Sequence, residues 1–158
     1  MVDRLYLYSH QTRFLYLTAV IDLYSRCIVR WETDDTPDIR MVIAALEKAF
    51  EVAKPEILNS DQGCRITSQR YIDFLKANKI RESMDGKSRR ADSIMIGRWF
   101  RTFNYDEAYL TRYANIRKAR ISIAKYIQTH NFERCHSAFG YRRPAEMYYP
   151  ELVLPYAV

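Results

Sequence analysis

The segment from Phe14 to Asp22 is apolar on both of its alternating sets of positions, with Phe14, Tyr16 and Val20 on one and Leu15, Leu17, Ala19 and Ile21 on the other. A period of two with both faces apolar predicts a strand covered on both sides, the signature of a layered α/β domain. Leu5 to Tyr8 before it and Arg26 to Glu32 after it are rich in Tyr, Leu, Val and Ile and predict flanking strands, with Asp22-Leu23-Tyr24-Ser25 reversing the chain. The period then changes to that of a helix: Ile39, Val42, Ile43, Leu46, Phe50 and Ala53 keep one face, opened by Thr36-Pro37 as cap and first-turn proline and closed by Pro55.

Glu56 to Ser60 predicts a short strand, Asp61-Gln62-Gly63 a loop, and Thr67-Ser68 the cap of a helix carrying Tyr71, Phe74 and Leu75. Asp61 therefore falls just past the carboxyl end of a strand, the edge where open α/β sheets bind ligands. Met84 to Ala91 is polar and basic and predicts a loop, after which Asp92 can cap a helix. In that helix Ile96, Trp99, Phe100 and Phe103 form one buried stripe, which leaves Ser93, Gly97, Arg101 and Asn104 on another face. A further helix is predicted from Ile116 to His130, followed by an aromatic, proline-punctuated tail.

A chain of 158 residues with 48% hydrophobic positions, no repeats and no Pro/Gly/Ser linker is sized for one packed domain. Its longest apolar run is far below the roughly 20 residues of a membrane-spanning helix, so a soluble, cytoplasmic protein without a membrane partner is expected. Cys27, Cys64 and Cys135 are odd in number and widely spaced, which argues against both a disulfide framework and a zinc site.

Charge adds a direction. The net charge is +6, and between Lys79 and Arg120 eleven basic residues face five acidic ones, so this stretch alone carries the excess. A polyanion would seat its phosphates there.

Three segments carry a family resemblance: FLYLTAVIDLYSR at Phe14 to Arg26, NSDQGCRITS at Asn59 to Ser68, and NFERCHSAFGYRRPAE at Asn131 to Glu146. In this order they resemble the catalytic core of insertion-sequence transposases of the retroviral-integrase superfamily, whose members carry an Asp, Asp, Glu triad. The resemblance implies an RNase H-like α/β fold, a mixed five-stranded sheet with helices on both faces. It also implies a core spanning residues 1–158, with 131–158 as its C-terminal tail. Family members usually carry an N-terminal helical DNA-binding region, which is expected to be absent from this chain.

The implied chemistry is cleavage and strand transfer on DNA, both transposon ends and target. Two Mg2+ or Mn2+ ions roughly 3.5 to 4 Å apart act in one in-line displacement, held by acidic oxygens. Residue by residue, Asp61 matches the second aspartate, and Asp3 is the acid at the first position, with Leu5 where the family has threonine and a spacing one residue longer. The third position departs: where the family carries glutamate, this chain has Gly97, with Ser93 in place of asparagine and Asn104 in place of lysine. Asp92 is five residues from Gly97 and on a different face, so it makes a poor substitute.

The expected site is thus Asp3 and Asp61 as metal ligands binding weakly, Gly97 at the position of the missing carboxylate, and Lys87, Arg89, Arg90, Arg98 and Arg101 as phosphate contacts. A catalytically impaired transposase core is the first reading. A DNA-binding or dimerising fragment that modulates an intact transposase is the second, and a nuclease with an unconventional ligand the third. His136 suits packing or a phosphate contact better than a metal, and His10 and His130 are expected to be surface or satisfied histidines. Tyr105 and Tyr109 are candidates for stacking on DNA. A homodimer is expected from the aromatic tail, Phe132, Phe139, Tyr141, Tyr148 and Tyr149.

Overall fold

The computed structural model describes residues 2–10, 13–60, 68–83, 89–111 and 113–151. Three antiparallel strands open the fold: β1 (Val2–His10), β2 (Arg13–Ile21) and β3 (Ile28–Asp34). Helix α1 (Ile39–Val52) leads to β4 (Ile57–Ser60), α2 (Gln69–Ala77) and the short β5 (Arg81–Glu82). Helix α3 (Arg89–Phe103) runs into a π-helical turn over Asn104–Ala108, and α4 (Ile116–Phe132), a 3-10 turn and α5 (Pro144–Tyr148) complete the described chain. The five strands form one sheet in the order β3-β2-β1-β4-β5. β4 runs parallel to β1, and β5 parallel to β4.

β2 behaves as its two apolar faces require. Leu15, Leu17, Ala19 and Ile21 join Ile96, Trp99, Phe100 and Phe103 of α3 and Ala119, Ile123 and Ile127 of α4 in one core. Val20 joins Val42, Ala45, Leu46 and Ala49 of α1, Leu58 of β4, and Tyr71 and Leu75 of α2 in the other. Each large side chain so enclosed contributes roughly 1.5 to 3 kcal/mol of burial free energy. The sheet is therefore fixed from both sides.

Three local expectations are corrected. The N-cap of α1 is Asp38, whose side chain accepts from the Arg40 N–H at 2.8 Å; Thr36 and Pro37 precede it, because the aspartate carboxylate reaches the free amide two residues on. α3 begins at Arg89, so Asp92 lies inside the helix and does not cap it, and the last three residues of the expected loop are helical. Asn104 is buried, with 3% exposure, although Arg101 on the same predicted face is exposed. Asn104 lies four residues after the fully buried Phe100 and so on the same face of the helix; beyond it the Tyr109 N–H donates to the Asn104 carbonyl five residues back, at 2.9 Å, in a π turn.

The expected cap of α2 is present. Ser68 caps α2, accepting from the Tyr71 N–H at 3.4 Å. Among the described residues no helix is long and apolar enough to cross a membrane.

Candidate catalytic edge and nucleic-acid interface

The ladder between β1 and β4 pairs Val2 with Asn59 and Asp3 with Ser60, while on the other side Asp3 stands opposite Val20 of β2. The first expected carboxylate position and the residue immediately before the second are thus cross-strand neighbours. Asp61 itself, like Lys87, lies outside the described residues. Beside Asp3's partner, the Ser60 hydroxyl donates to Glu82 Oε1 at 2.6 Å, which ties the end of β4 to β5. Helix α3 packs against both β1 and β4 and carries Gly97 half-buried. Three segments far apart in sequence, β1, β4 and α3, are therefore packed together. Among the described residues no group of three His, Cys, Asp or Glu side chains is placed to hold a metal.

Four of the five expected phosphate contacts lie on α3. Arg89 and Arg90 form its first turn, and Arg98 and Arg101 are exposed. The Arg101 guanidinium lies 6.0 Å from the ring centre of Tyr105. Tyr105 and Tyr109 are themselves 61% and 68% exposed and meet edge to face at 5.5 Å. A guanidinium and two open aromatic faces side by side are what a flexible nucleic-acid strand stacks on.

The sheet is held at one end by a lock that periodicity does not announce. In the β2 to β3 turn, Asp22 Oδ2 accepts from the Ser25 N–H at 2.9 Å and from the Ser25 hydroxyl at 2.7 Å. Arg26 sits at φ 60, the left-handed region, and its N–H donates to the Asp22 carbonyl at 2.8 Å. From the end of α4, Asn131 Oδ1 accepts from the Ile28 N–H and its amide donates to the Ile28 carbonyl, both at 2.9 Å. His130 Nε2 lies 3.0 Å from the Arg26 carbonyl. Further on, Gly140 and Tyr141 take φ 62 and 64 to turn the chain back, and His136 and Arg142 form an isolated bridge. Pro144 opens α5, and Glu146 accepts from the Arg143 N–H at 2.9 Å.

The C-terminal segment that carries the family resemblance is therefore largely structural. Its Asn, Gly, Tyr, Pro and Glu are turn, cap and docking residues. Its histidine region is also electrostatically distinctive: burial, offset in part by the hydrogen bond to Arg26, lowers the His130 pKa to about 4. Burial, then Arg26 and Arg134, lower that of His136.

A family model, the integrase core domain, matches residues 2–89 of the chain. The chain belongs to the integrase core domain family. Its curated relatives include InsK of insertion sequence element IS150 in Escherichia coli (strain K12), 31% identical over 77% of this chain and 44% of the relative. The transposase for insertion sequence element IS904 of Lactococcus lactis is 29% identical over 84% of this chain and 54% of the relative. The chain spans about half the length of these relatives.

Among solved structures, this integrase core resembles the HTLV-2 integrase catalytic core domain in complex with magnesium, with a TM-score of 0.64 at 18% identity over 92% of this chain and 93% of that one. It also resembles a chain of the simian T-cell lymphotropic virus intasome, with a TM-score of 0.77 at 13% identity over 99% of this chain and 57% of that one. At such identities the likeness is one of fold, and the fold is RNase H-like, as the resemblance implied.

Proposed function

We propose that this integrase core is the catalytic domain of an insertion-sequence transposase, built for metal-dependent cleavage and strand transfer of DNA and impaired in that chemistry by Gly97. The observation that carries the reading is the β1 to β4 register. It sets Asp3 opposite the residue before Asp61, beneath a helix whose residue at the third position has no side chain to offer. Asp3 and Asp61 would hold the ion, Mg2+ or Mn2+, whose chemistry when bound is to activate the attacking oxygen and stabilise the leaving one. Two carboxylates leave most of the octahedron of a magnesium ion to water, so the donor set is one short and binding is weak. The residues that do not depend on metal remain: Lys87, Arg89, Arg90, Arg98 and Arg101 neutralise phosphates of the transposon end and target.

Further elements of the proposal are a bacterial, cytoplasmic protein that associates with the nucleoid through DNA, and a homodimer. Exposed Phe132, Tyr141 and Tyr149 supply apolar surface for self-association, whereas Tyr148 packs back on the core. Sedimentation should show a dimer at high micromolar concentration, and a monomer there removes that part. The Gly97 position also favours a second reading, a non-catalytic DNA-binding or dimerising chain that modulates an intact transposase. Nicking of supercoiled plasmid in Mn2+ separates them. The crippled-enzyme reading expects no nicking by the parent and metal-dependent nicking by Gly97→Glu that Asp61→Asn abolishes. Parent activity lost on Asp61→Asn would instead mean that another group supplies the third ligand.

A further inference from the structure

Between α3, the β2 to β3 turn and the end of α4 lies a cavity of about 280 Å3 whose lining shares only Arg98 with the proposed phosphate contacts. Its polar wall comes from three separate parts of the chain: Arg26 of the β2 to β3 turn, Arg98 and Thr102 of α3, and His130, Arg134 and His136 from the end of α4 and beyond. Trp99 supplies part of the apolar floor. Among the described residues no carboxylate lines it. Arg134 is paired with Asp106, which lies outside the cavity, at 3.0 Å. Arg26 and Arg98 make no ion pair with any described residue; the Arg26 guanidinium instead lies over the Phe139 ring at 4.8 Å.

Two buried nitrogens complete the picture. His136 Nε2 and Trp99 Nε1 have no hydrogen-bond partner among the described residues. Arg26 and Arg134 both repel a proton from His136, and Arg134 and His136 repel one from His130. Among the described lining residues, arginines thus stand beside imidazoles with no anion to balance them. A wall of donors that faces open space lacks an acceptor-rich, negatively charged partner.

We propose that this cavity is a phosphate-binding site, taking a phosphate monoester or diester group between Arg26, Arg98, Arg134 and His136. Arginines contributed by three separate parts of the chain line the cavity, and guanidinium groups suit an anion that presents several oxygens. The volume lies at the low end of ligand pockets, roughly 300 Å3 and upward, enough for a phosphate with part of its sugar. The inference shares Arg98 with the proposed DNA contacts but needs neither a metal nor any residue at position 97, so phosphate binding without metal can fail while the metal-site reading stands, and the reverse.

The test titrates inorganic phosphate into the full chain at constant ionic strength held with chloride, without metal or DNA, reading the His136 imidazole resonances and the melting temperature. A saturable shift of His136 with a rise in melting temperature is expected. Arg98→Ala and Arg26→Asn should each weaken the binding about tenfold, and Arg70→Ala, an exposed substitution on α2, should leave it unchanged. Asparagine is chosen at 26 because it tolerates the left-handed backbone there. Arg98 is exposed on a helix, so its variant folds and decides the matter even if the other does not. Absence of a saturable shift, or parental affinity in Arg98→Ala, overturns the proposal. Displacement of a short duplex by phosphate identifies the natural group as a DNA backbone phosphate. Binding of a mononucleotide that duplex does not displace identifies a free phosphate compound, and either arm upholds the site.

Discussion

At the scale of the residue, His130 shows how the end of the sheet stores a pH dependence. It is 5% exposed, and its pKa falls from 6.5 to about 4, chiefly because burial penalises the imidazolium. Between those values the unfolded chain binds the proton and the folded chain does not, so stability is intact above about pH 6.5 and declines as the pH falls toward 4. The loss is on the order of 3 kcal/mol, and His136, shifted the same way, adds to it. Melting temperatures across this range should fall steeply for the parent and less for His130→Gln; parallel curves would show that the burden lies elsewhere. Neither the burial of His130 nor the Arg26 carbonyl it meets was legible from the sequence, since one histidine at the end of a helix carries no periodic signal.

At the scale of the element, α4 is docked by Asn131, whose side chain satisfies both the N–H and the carbonyl of Ile28. Asn131→Ala would strand two buried backbone groups and should cost about 2 to 4 kcal/mol, read by chemical denaturation. A cost under 0.5 kcal/mol would mean that water replaces the amide.

The elements themselves were largely legible. β2 was announced by apolar residues on both faces, α1 by an unbroken helical stripe, and the burial of Ile96, Trp99, Phe100 and Phe103 by their spacing. The π turn beyond Phe103 was not, because it shifts the register without any change of composition. The cap at Asp38 was misplaced because Thr36-Pro37 and Asp38 are both adequate helix openings, and only the backbone path selects one.

At the scale of the whole molecule, helix α3, which lies within the basic stretch from Lys79 to Arg120, packs against β1, the strand that carries Asp3, and against β4. The candidate site was legible as three positions in sequence order. That Asp3 stands opposite Ser60 was not, because strand register is set by packing of both faces. The cavity shared by Arg26, Arg98 and Arg134 was equally hidden, since those residues are separated by whole elements.

DNA binding should be tolerant of sequence and should weaken steeply as salt rises, with Lys87→Ala, Arg89→Ala and Arg90→Ala together flattening the slope of log K against log salt by about 3. Affinity that is equal at low and moderate salt would remove the phosphate-contact assignment.

The central claim, a two-metal site lacking its third carboxylate at Gly97, is tested most directly by melting the parent and Gly97→Glu with increasing Mn2+. Glutamate in a helix interior gains up to about 1 kcal/mol over glycine from propensity alone, so the metal-free difference is the baseline. The account predicts that Mn2+ stabilises Gly97→Glu well beyond the parent, with the excess lost in the Gly97→Glu, Asp61→Asn double variant. Equal stabilisation of parent and Gly97→Glu by the metal would contradict it.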